Sequence, residues 1–392
     1  MNPDLIKDCV HCGFCLPTCP TYVLWGAEAD SPRGRIHLME QRVGGAPMSD
    51  AMALHFDRCL GCMACVTACP SGVRYDLLIE QTRAHVEASH PRTLKERLLR
   101  GAIFRLFPYP RRLRLMRGPL RLYQALGLRL RGTGTLSTLE SLAPRLTKAP
   151  RLPASVKAVG KRRAVVGLLT GCVQSAFFPD VNAATARVLA AEGCDVVIPP
   201  NQGCCGALSV HNGRAEEAQR FATALTETFQ RAGVDFVVVN AAGCGSATKE
   251  YLPNARDFAE LLAELGPVAP RHPLPLTVAY HDACHLAHAQ GIRAQPRALL
   301  AGIPSLVVRE ITDPEICCGS AGIWNVLNPE PARELGERKA RNVLATGADV
   351  LVTANPGCLM QIGAFVKGGM RLAHTAQVLD ASINNRPLVS VR

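Results

Sequence analysis

The chain has 392 residues, of which 48% are hydrophobic and 19% charged, a balance that excludes a wholly disordered protein. It contains no apolar run of the roughly 18 residues that a membrane-spanning helix needs, and its first residues lack the basic region and apolar stretch of a signal peptide. Seventeen Cys, an odd number in a long chain without an export signal, favour metal ligation over a disulfide scaffold. We therefore expect a cytoplasmic, metal-binding protein of two to four domains.

Two similar runs of Cys lie near the start of the chain, and each has the pattern C-x2-C-x2-C-x3-C-P. This is the spacing of bacterial ferredoxins with two [4Fe–4S] clusters, in which the fourth Cys of each run ligates the cluster of the other run. We therefore predict the following ligands: for cluster 1, Cys9, Cys12, Cys15 and Cys69; for cluster 2, Cys59, Cys62, Cys65 and Cys19. A pair of structural zinc sites is the alternative, but zinc typically takes two separated C-x2-C pairs for each ion.

The spacer between the two runs is long enough to hold helices. Ser31 precedes Pro32, and a Ser N-cap followed by Pro at the first helical position is a typical helix start. We therefore expect residues 1–90 to form a mostly helical ferredoxin domain. Two roles are open to Arg33 and Arg35 on this helix: contact with the anionic clusters, or exposure to solvent.

Residues 91–160 form a basic amphipathic connector. Residues 92–163 carry 15 Arg and 4 Lys against Glu96 and Glu140, so their net charge of +17 exceeds the +12 of the whole chain. Because Arg alternates here with Leu, Ile and Phe, three roles remain open: binding to an anionic membrane surface, docking to an acidic partner subunit, or a solvated helical link. We expect no nucleic-acid binding, since no recognition fold is evident.

The remainder of the chain is an internal repeat. Cys172, the triplet Cys204–Cys205–Gly206 and Cys244 recur as Cys284, Cys317–Cys318–Gly319 and Cys358, at offsets of 112, 113 and 114 residues. Short β-branched runs alternate with longer helical stretches, which predicts an α/β architecture. We therefore expect an α+β multidomain fold, in which the ferredoxin domain and connector precede two repeated α/β lobes: lobe 1 (residues 161–270) and lobe 2 (residues 271–392).

The repeated Cys follow predicted strands, and ligands gather at the carboxyl ends of parallel strands. Each lobe is thus predicted to bring four thiols together: Cys172, Cys204, Cys205 and Cys244 in lobe 1; Cys284, Cys317, Cys318 and Cys358 in lobe 2. Three roles are open to them: ligation of one further cluster or metal, a redox disulfide, or core packing. We interpret Cys194 as a core residue. His281, Asp282 and His285, which flank Cys284, are either ligands or buried polar residues.

These motifs resemble those of glycolate oxidase iron–sulfur subunits, within the wider group of heterodisulfide-reductase-like proteins with Cys-Cys-Gly (CCG) domains. The matching stretches, in chain order, are CVHCGFCLPTCPTY, SPRGRIHL, DRCLGCMACVTACPSGVRY, GCVQ, NAATARVL, GCCGAL, AAGCG, CCGSAG and TANPGC. The resemblance implies an electron-transfer subunit at the inner face of the cell membrane, with no catalytic residue of its own. Partner subunits that carry FAD would oxidise glycolate to glyoxylate, and this chain would pass the electrons towards quinone.

Two related assignments share this architecture: the iron–sulfur subunit of anaerobic glycerol-3-phosphate dehydrogenase, and that of a lactate-utilisation complex. A structural zinc scaffold is the alternative of another class. In the heterodisulfide reductase branch, each CCG motif ends in C-x-x-C and holds a non-cubane cluster. Here Ala247 and Gln361 stand at the position of the last Cys, so each lobe keeps four thiols, enough for a conventional cluster.

Overall fold

The computed structural model describes residues 2–128, 134–146, 150–366 and 368–390. The ferredoxin domain consists of helices and loops, as predicted from the spacer. Its elements are α1 (Asp4–Lys7), α2 (Pro20–Trp25), a 3₁₀ turn (Glu28–Asp30), α3 (Pro32–Val43), α4 (Asp50–Arg58), α5 (Ala64–Ala68) and α6 (Tyr75–Ser89). The predicted start of α3 is confirmed: the hydroxyl of Ser31 accepts a hydrogen bond from the backbone N–H of Gly34 at 3.0 Å.

The connector is also helical over its described residues, with α7 (Leu94–Leu106), α8 (Pro110–Ala125) and α9 (Thr135–Leu142). Thr93 and Glu96 form a capping box at the start of α7. One face of α7 is buried, because Ile103 and Phe104 pack against Ile323 and Val326 of lobe 2. The connector therefore follows the surface of the lobes rather than extending away from them.

Lobe 1 contains a five-stranded sheet in the order β1-β3-β2-β4-β5, in which β1 alone runs antiparallel. Its elements are β1 (Ser155–Val156, just before the lobe), β2 (Ala164–Leu169), α10 (Cys172–Phe177), α11 (Pro179–Ala191), β3 (Cys194–Val197), α12 (Ala207–Val210), α13 (Ala215–Ala232), β4 (Phe236–Val239), α14 (Ala242–Lys249), β5 (Ala255–Asp257) and α15 (Phe258–Leu265).

Lobe 2 contains a parallel four-stranded sheet in the order β7-β6-β8-β9. Its elements are β6 (Leu276–Tyr280), a π-helical turn (His285–Ala289), α16 (Ala294–Ala301), β7 (Leu306–Glu310), α17 (Trp324–Leu327), α18 (Pro329–Leu344), β8 (Val350–Thr353), α19 (Pro356–Phe365), β9 (Arg371–His374) and α20 (Thr375–Ile383). The order β7-β6-β8-β9 repeats the order β3-β2-β4-β5 of lobe 1. The predicted repeat is therefore confirmed at the level of topology.

The two lobes share one hydrophobic core. Apolar side chains of both sheets, among them Leu168 and Val238 of lobe 1 and Val278 and Val350 of lobe 2, belong to a single buried cluster. The central strands β2, β4 and β8 are buried on both faces, which explains their runs of β-branched and aliphatic residues, whereas the edge strand β7 is more exposed. The shared core holds the two lobes as one unit, with the carboxyl ends of both sheets available for the thiols.

The ferredoxin domain packs on both lobes, but most closely on lobe 2. Leu60, Cys62 and Ala64 from the second Cys run enter the core of lobe 2, and the indole N–H of Trp324 donates a hydrogen bond to the carbonyl of Arg58 at 3.0 Å. Towards lobe 1, Arg83 of α6 donates to the carbonyl of His211 at 2.9 Å. Among the described residues, none of the helices has the length and apolar character to cross a bilayer.

Candidate metal centres

The first Cys run forms a loop after α1, and Cys69 from the end of α5 lies beside it. One cavity is lined by the thiol-bearing residues Cys9, Cys12, Cys15, Cys65 and Cys69, together with Arg33 and Tyr75. Cys69 and Cys9 interact electrostatically, and burial raises the pKa of Cys15 to about 11. A thiol with a raised pKa is protonated until a metal displaces its proton. The structure thus groups the four thiols that the spacing assigns to cluster 1.

The second Cys run lies deeper. Cys59, Cys62 and Cys65 are buried, and so is Cys19, which interacts electrostatically with Cys62 and Cys65. The thiol of Cys19 is held by the hydroxyl of Thr21 at 3.2 Å. The fourth Cys of each run therefore lies beside the opposite run, and four thiols at each place suit the all-cysteine ligand set of a [4Fe–4S] cluster.

Arg33 and Arg35 of α3 both contact residues beside the Cys runs. Arg35 is buried, so the solvent-exposed alternative is wrong for it, whereas the side chain of Arg33 is 28% exposed and also pairs with Glu28. Arg33 donates to the carbonyl of His11 in the first loop at 2.8 Å. Arg35 is 1% exposed, donates to the carbonyl of His55 at 2.7 Å and interacts with Cys19 and Cys59.

The second run is electropositive around Cys59. Burial acts to raise the pKa of this thiol, but the guanidinium groups of Arg35 and Arg83, together with hydrogen bonds from the Gly61 N–H and the Tyr75 hydroxyl, give a net lowering. Arg83 also donates a hydrogen bond to the carbonyl of Cys59. Two buried positive charges thus lie where an anionic cluster would need compensation.

The thiols of lobe 1 form a chain of contacts at the carboxyl ends of β2 and β4. The Sγ atoms of Cys172 and Cys204 are 3.7 Å apart. The pKa of Cys204 is raised by its contact with Cys172 and then by Cys205, and the pKa of Cys244 is raised by its contact with Cys205. The neighbouring Cys204 and Cys244 in turn lower the pKa of Cys205. The predicted convergence of four thiols is therefore present in lobe 1.

The thiols of lobe 2 form a similar chain, from Cys284 through Cys317 and Cys318 to Cys358. The hydrogen bond from Cys284 to Cys317, together with burial, raises the pKa of Cys284 well above its usual value. Cys62 of the ferredoxin domain interacts electrostatically with Cys284 and Cys317. The thiols of lobe 2 therefore lie next to a thiol of the second Cys run in space.

The Gly of each CCG triplet has a structural role. Gly206 and Gly319 adopt left-handed backbone conformations, with φ of +84° and +87°. A Cβ at Gly206 would lie 3.0 Å from the carbonyl oxygen of Ala218, and one at Gly319 would lie 2.9 Å from that of Ala332. Only Gly lets the thiol loop approach the following long helix, α13 or α18, this closely.

The three polar residues around Cys284 have different environments. Asp282 pairs with Arg297 through two hydrogen bonds of 3.0 and 2.6 Å, so it is a buried structural carboxylate. The ring of His285 lies 4.9 Å from that of His211, at the junction of the two lobes. His285 also lies beside one lobe 2 thiol, since its Nδ1 is 3.6 Å from the Sγ atom of Cys284. His281 approaches two: one of its ring nitrogens and the Sγ atoms of Cys318 and Cys358 lie within 4.8 Å of one another.

Cys194 and Gln361, both singled out in the sequence, have structural roles. Cys194 is fully buried among apolar side chains of the shared core, as expected. Gln361, which stands where the heterodisulfide reductase pattern has its last Cys, donates to the carbonyl of Ala332 at 2.8 Å and accepts from Asn325 at 3.0 Å. Gln361 thus braces α18 and α19.

Comparison with known proteins agrees with this organisation. The chain matches the 4Fe-4S dicluster domain at residues 5–73, the glycolate oxidase iron-sulfur subunit linker region at residues 95–147, and the CCG cysteine-rich domain at residues 166–249 and 278–363. It is 34% identical to the probable glycolate oxidase iron-sulfur subunit of Bacillus subtilis over 97% of this chain and 94% of that protein. It is likewise 34% identical to the glycolate oxidase iron-sulfur subunit of Escherichia coli over 97% of this chain and 95% of that protein.

The chain belongs to the family of glycolate oxidase iron–sulfur subunits. A lactate utilization protein A from Exiguobacterium is 30% identical, but the match covers 56% of this chain and 98% of that shorter protein. The linker match, by contrast, falls on the basic connector. The family resemblance inferred from the motifs is confirmed, as is the expected fold of a helical dicluster domain followed by two CCG domains.

Membership in the glycolate oxidase iron–sulfur subunit family does not account for all the charged residues around the thiols. Lys339 of α18 is 1% exposed, donates to the carbonyl of Asp313 at 2.6 Å and interacts with Cys317 and Cys318. The sequence gives no sign that Arg83 contacts Cys59, because the pattern of α6 is that of an ordinary amphipathic helix. The sequence repeat does point to His281, because the offset of 112 residues aligns this polar residue of lobe 2 with the apolar Leu169 of lobe 1.

Proposed function

We propose that this chain is the electron-transfer subunit of a complex that oxidises glycolate to glyoxylate. Partner subunits with FAD carry out the oxidation, and this chain passes the electrons on towards quinone. Bound [4Fe–4S] clusters supply one-electron carriers, and their ligands are Cys9, Cys12, Cys15 and Cys69 for cluster 1, and Cys59, Cys62, Cys65 and Cys19 for cluster 2. The proposal includes the division into domains at residues 1–90, 91–160, 161–270 and 271–392.

The observation that carries the proposal is the adjacency of three thiol groups. Cys15 interacts with Cys19, so the two ferredoxin groups adjoin, and Cys62 interacts with Cys284, so the second group adjoins lobe 2. Adjacent one-electron sites that lead inwards from the exposed Cys12 are an arrangement for electron transfer rather than for substrate chemistry. A structural zinc scaffold does not require thiol groups that adjoin one another, because zinc has no redox chemistry and carries no electrons between sites.

The test is the content of iron and acid-labile sulfide in anaerobically prepared protein, with EPR spectra after reduction. Two [4Fe–4S] clusters require about eight of each per chain, and a third about twelve. When glycolate is added to the complex, it should reduce the flavin of the partner subunits, and the flavin should then reduce the clusters. This chain alone should not oxidise glycolate. Zinc in place of iron, or glycolate oxidation by this chain alone, would refute the proposal.

For the connector, the exposed side chains favour membrane binding over the other two roles. Leu115 and Leu122 on α8 and Leu126, directly after its last residue, are spaced to share one face and are 78%, 62% and 63% exposed, with Arg114 and Arg121 exposed beside them. Exposed Leu flanked by Arg is typical of a helix that lies on an anionic bilayer. We therefore propose peripheral attachment through α8 to the inner face of the cell membrane.

Sedimentation of the cluster-loaded chain with vesicles tests this attachment. It should bind vesicles with anionic lipid, bind less at high salt, and fail to bind zwitterionic vesicles. Replacing Leu115, Leu122 and Leu126 together by Ser should abolish binding with the EPR spectra unchanged. Binding to the flavin subunits but to no vesicle would instead identify α8 as a partner-docking surface.

A further inference from the structure

The two lobes differ in the side chains that surround their thiols, although their strand orders are the same. In lobe 2, His281 stands three residues before the first thiol, Cys284; in lobe 1, Leu169 stands three residues before Cys172. Both side chains are buried, with exposures of 3% for His281 and 1% for Leu169. Leu169 packs in the apolar cluster around the lobe 1 thiols. The same backbone position therefore carries an imidazole in one lobe and a hydrocarbon in the other.

A second position differs in the same way. The CCG glycines contact Ala218 in α13 and Ala332 in α18, which fixes the register between these two helices. At that register Lys339 of lobe 2 corresponds to Leu225 of lobe 1. Leu225 is fully buried, and Lys339 is 1% exposed, with electrostatic interactions to Cys317 and Cys318. A buried ammonium group is costly unless negative charge lies nearby. Asp313 and Glu315 supply part of that charge, and Lys339 is also placed to compensate an anionic group held at the lobe 2 thiols.

We propose that lobe 2 holds an iron–sulfur centre in which His281 is a ligand together with Cys318 and Cys358, and in which Lys339 supplies a neighbouring positive charge. The donor atoms of His281, Cys318 and Cys358 are buried and lie within 4.8 Å of one another. Imidazole nitrogen and thiolate sulfur are both ligands of iron in proteins. Lobe 1, with leucines at both positions, does not have this nitrogen ligand.

The nitrogen ligand sets the redox character of lobe 2. A neutral imidazole in place of a thiolate removes one negative charge from a cluster, and Rieske centres have higher reduction potentials for this reason. Lys339 acts in the same direction. A lobe 2 centre held by His281, Cys318 and Cys358 beside Lys339 would therefore take up an electron more readily than a cluster held by the second Cys run. Cys62, which interacts with Cys284, lies between the two.

Pulsed EPR of the full, cluster-loaded chain tests the ligation directly. The wild-type protein should show a nitrogen coupling that changes when histidine is labelled with ¹⁵N. His281→Leu, the residue of lobe 1, should lose this coupling and one centre's share of iron. His281→Cys should keep the iron, lose the coupling and shift the potential of this centre downwards, and it covers the case in which the Leu variant does not fold.

Two further variants separate ligation from charge. Lys339→Met should keep the nitrogen coupling but lower the potential, while Leu225→Met in lobe 1 should change neither. A nitrogen coupling that persists in His281→Cys, or zinc in place of iron in lobe 2, would overturn the inference. The inference rests on the proposed function only in requiring clusters on this chain. Its failure would leave the signals of clusters 1 and 2 intact, whereas zinc in place of iron, which would refute the proposed function, would remove them.

Discussion

The buried carboxylate of Asp30 pairs with three basic side chains in the ferredoxin domain. Its side chain is fully buried and pairs with Arg35 at 3.4 Å, with His55 at 2.8 Å and with Arg58 at 3.0 Å. Its carbonyl accepts hydrogen bonds from Thr21 at 2.6 Å and from the Cys19 thiol at 3.6 Å. Asp30 thus links the cations around cluster 2 to the loop that carries Cys19. We predict that Asp30→Asn weakens both the fold and the binding of cluster 2.

The size of the effect follows from the burial of Arg35. At 3.4 Å, with an effective dielectric constant of about 20, the attraction between two unit charges is about 5 kcal/mol. Removal of one partner from a buried pair costs about 3–5 kcal/mol, because the other charge is left without compensation. Arg58 is one-third exposed and is therefore partly compensated by water. We expect Asp30→Asn to lower the free energy of unfolding by about 3–5 kcal/mol, a large part of the stability of a typical domain.

Denaturant titration of the cluster-loaded protein, followed by cluster absorbance and by circular dichroism, measures this loss. Asp4→Asn is the matched control, since Asp4 forms a pair of 2.9 Å with Lys7 on the surface and should have no measurable effect. The Asp30 variant should also lose iron from cluster 2 before cluster 1. A change below about 1 kcal/mol, the range of an ordinary substitution, would refute the argument that Asp30 compensates a buried charge.

Three other predictions test separate parts of the chain. Cys19→Ser should alter the EPR signal of cluster 2 and Cys12→Ser that of cluster 1; a change confined to cluster 1 in the Cys19 variant would contradict the crossed assignment. Burial raises the pKa of Asp257 to about 7, so the folded chain keeps a proton that the unfolded chain releases near pH 4, and this residue lowers stability as pH rises between these values. Asp257→Asn, which keeps the acceptor for the N–H of Ala259, should remove that loss and raise the unfolding midpoint at pH 8 but not at pH 4; equal midpoints at pH 8 would disprove it. Gly319→Ala should destabilise lobe 2 by at least about 1–2 kcal/mol because of its left-handed backbone, while Gly118→Ala in α8, with nothing within 4 Å, should be neutral or stabilising; equal effects would contradict the close-approach argument.

The parts of the fold that could be predicted are those that depend on the spacing of residues along the chain. The nearly constant offset between the two CCG triplets led to the repeat, and both sheets have the strand order that a repeat requires. Ser31 before Pro32 predicted the start of α3, because the chemistry of a helix cap is local. Cys patterns are equally local, since the first three thiols of each run must reach one centre from a single loop.

The parts that could not be predicted depend on contacts between distant segments. Nothing in the local sequence distinguishes the buried Arg35 from the more exposed Arg33, since both follow Pro32 on the same helix. The excess charge of the connector is also partly used in ion pairs with the ferredoxin domain, as for Arg92 with Asp57 and Arg100 with Glu87. Such pairs form only once α4, α6 and the start of the connector have packed together, and composition alone cannot show them.

The position of the ferredoxin domain explains why two lobes with one topology diverged. Leu60, Cys62 and Ala64 enter the core of lobe 2, and Trp324 ties this contact to Arg58. Lobe 1 instead meets α6, through Arg83 and through the hydrogen bond of 3.1 Å between Glu80 and His211. A thiol of the second Cys run therefore interacts with the thiols of lobe 2, whereas lobe 1 meets α6 through His211. Selection on reduction potential would then act on the lobe next to the clusters, and His281 and Lys339 are in that lobe, where lobe 1 has Leu169 and Leu225.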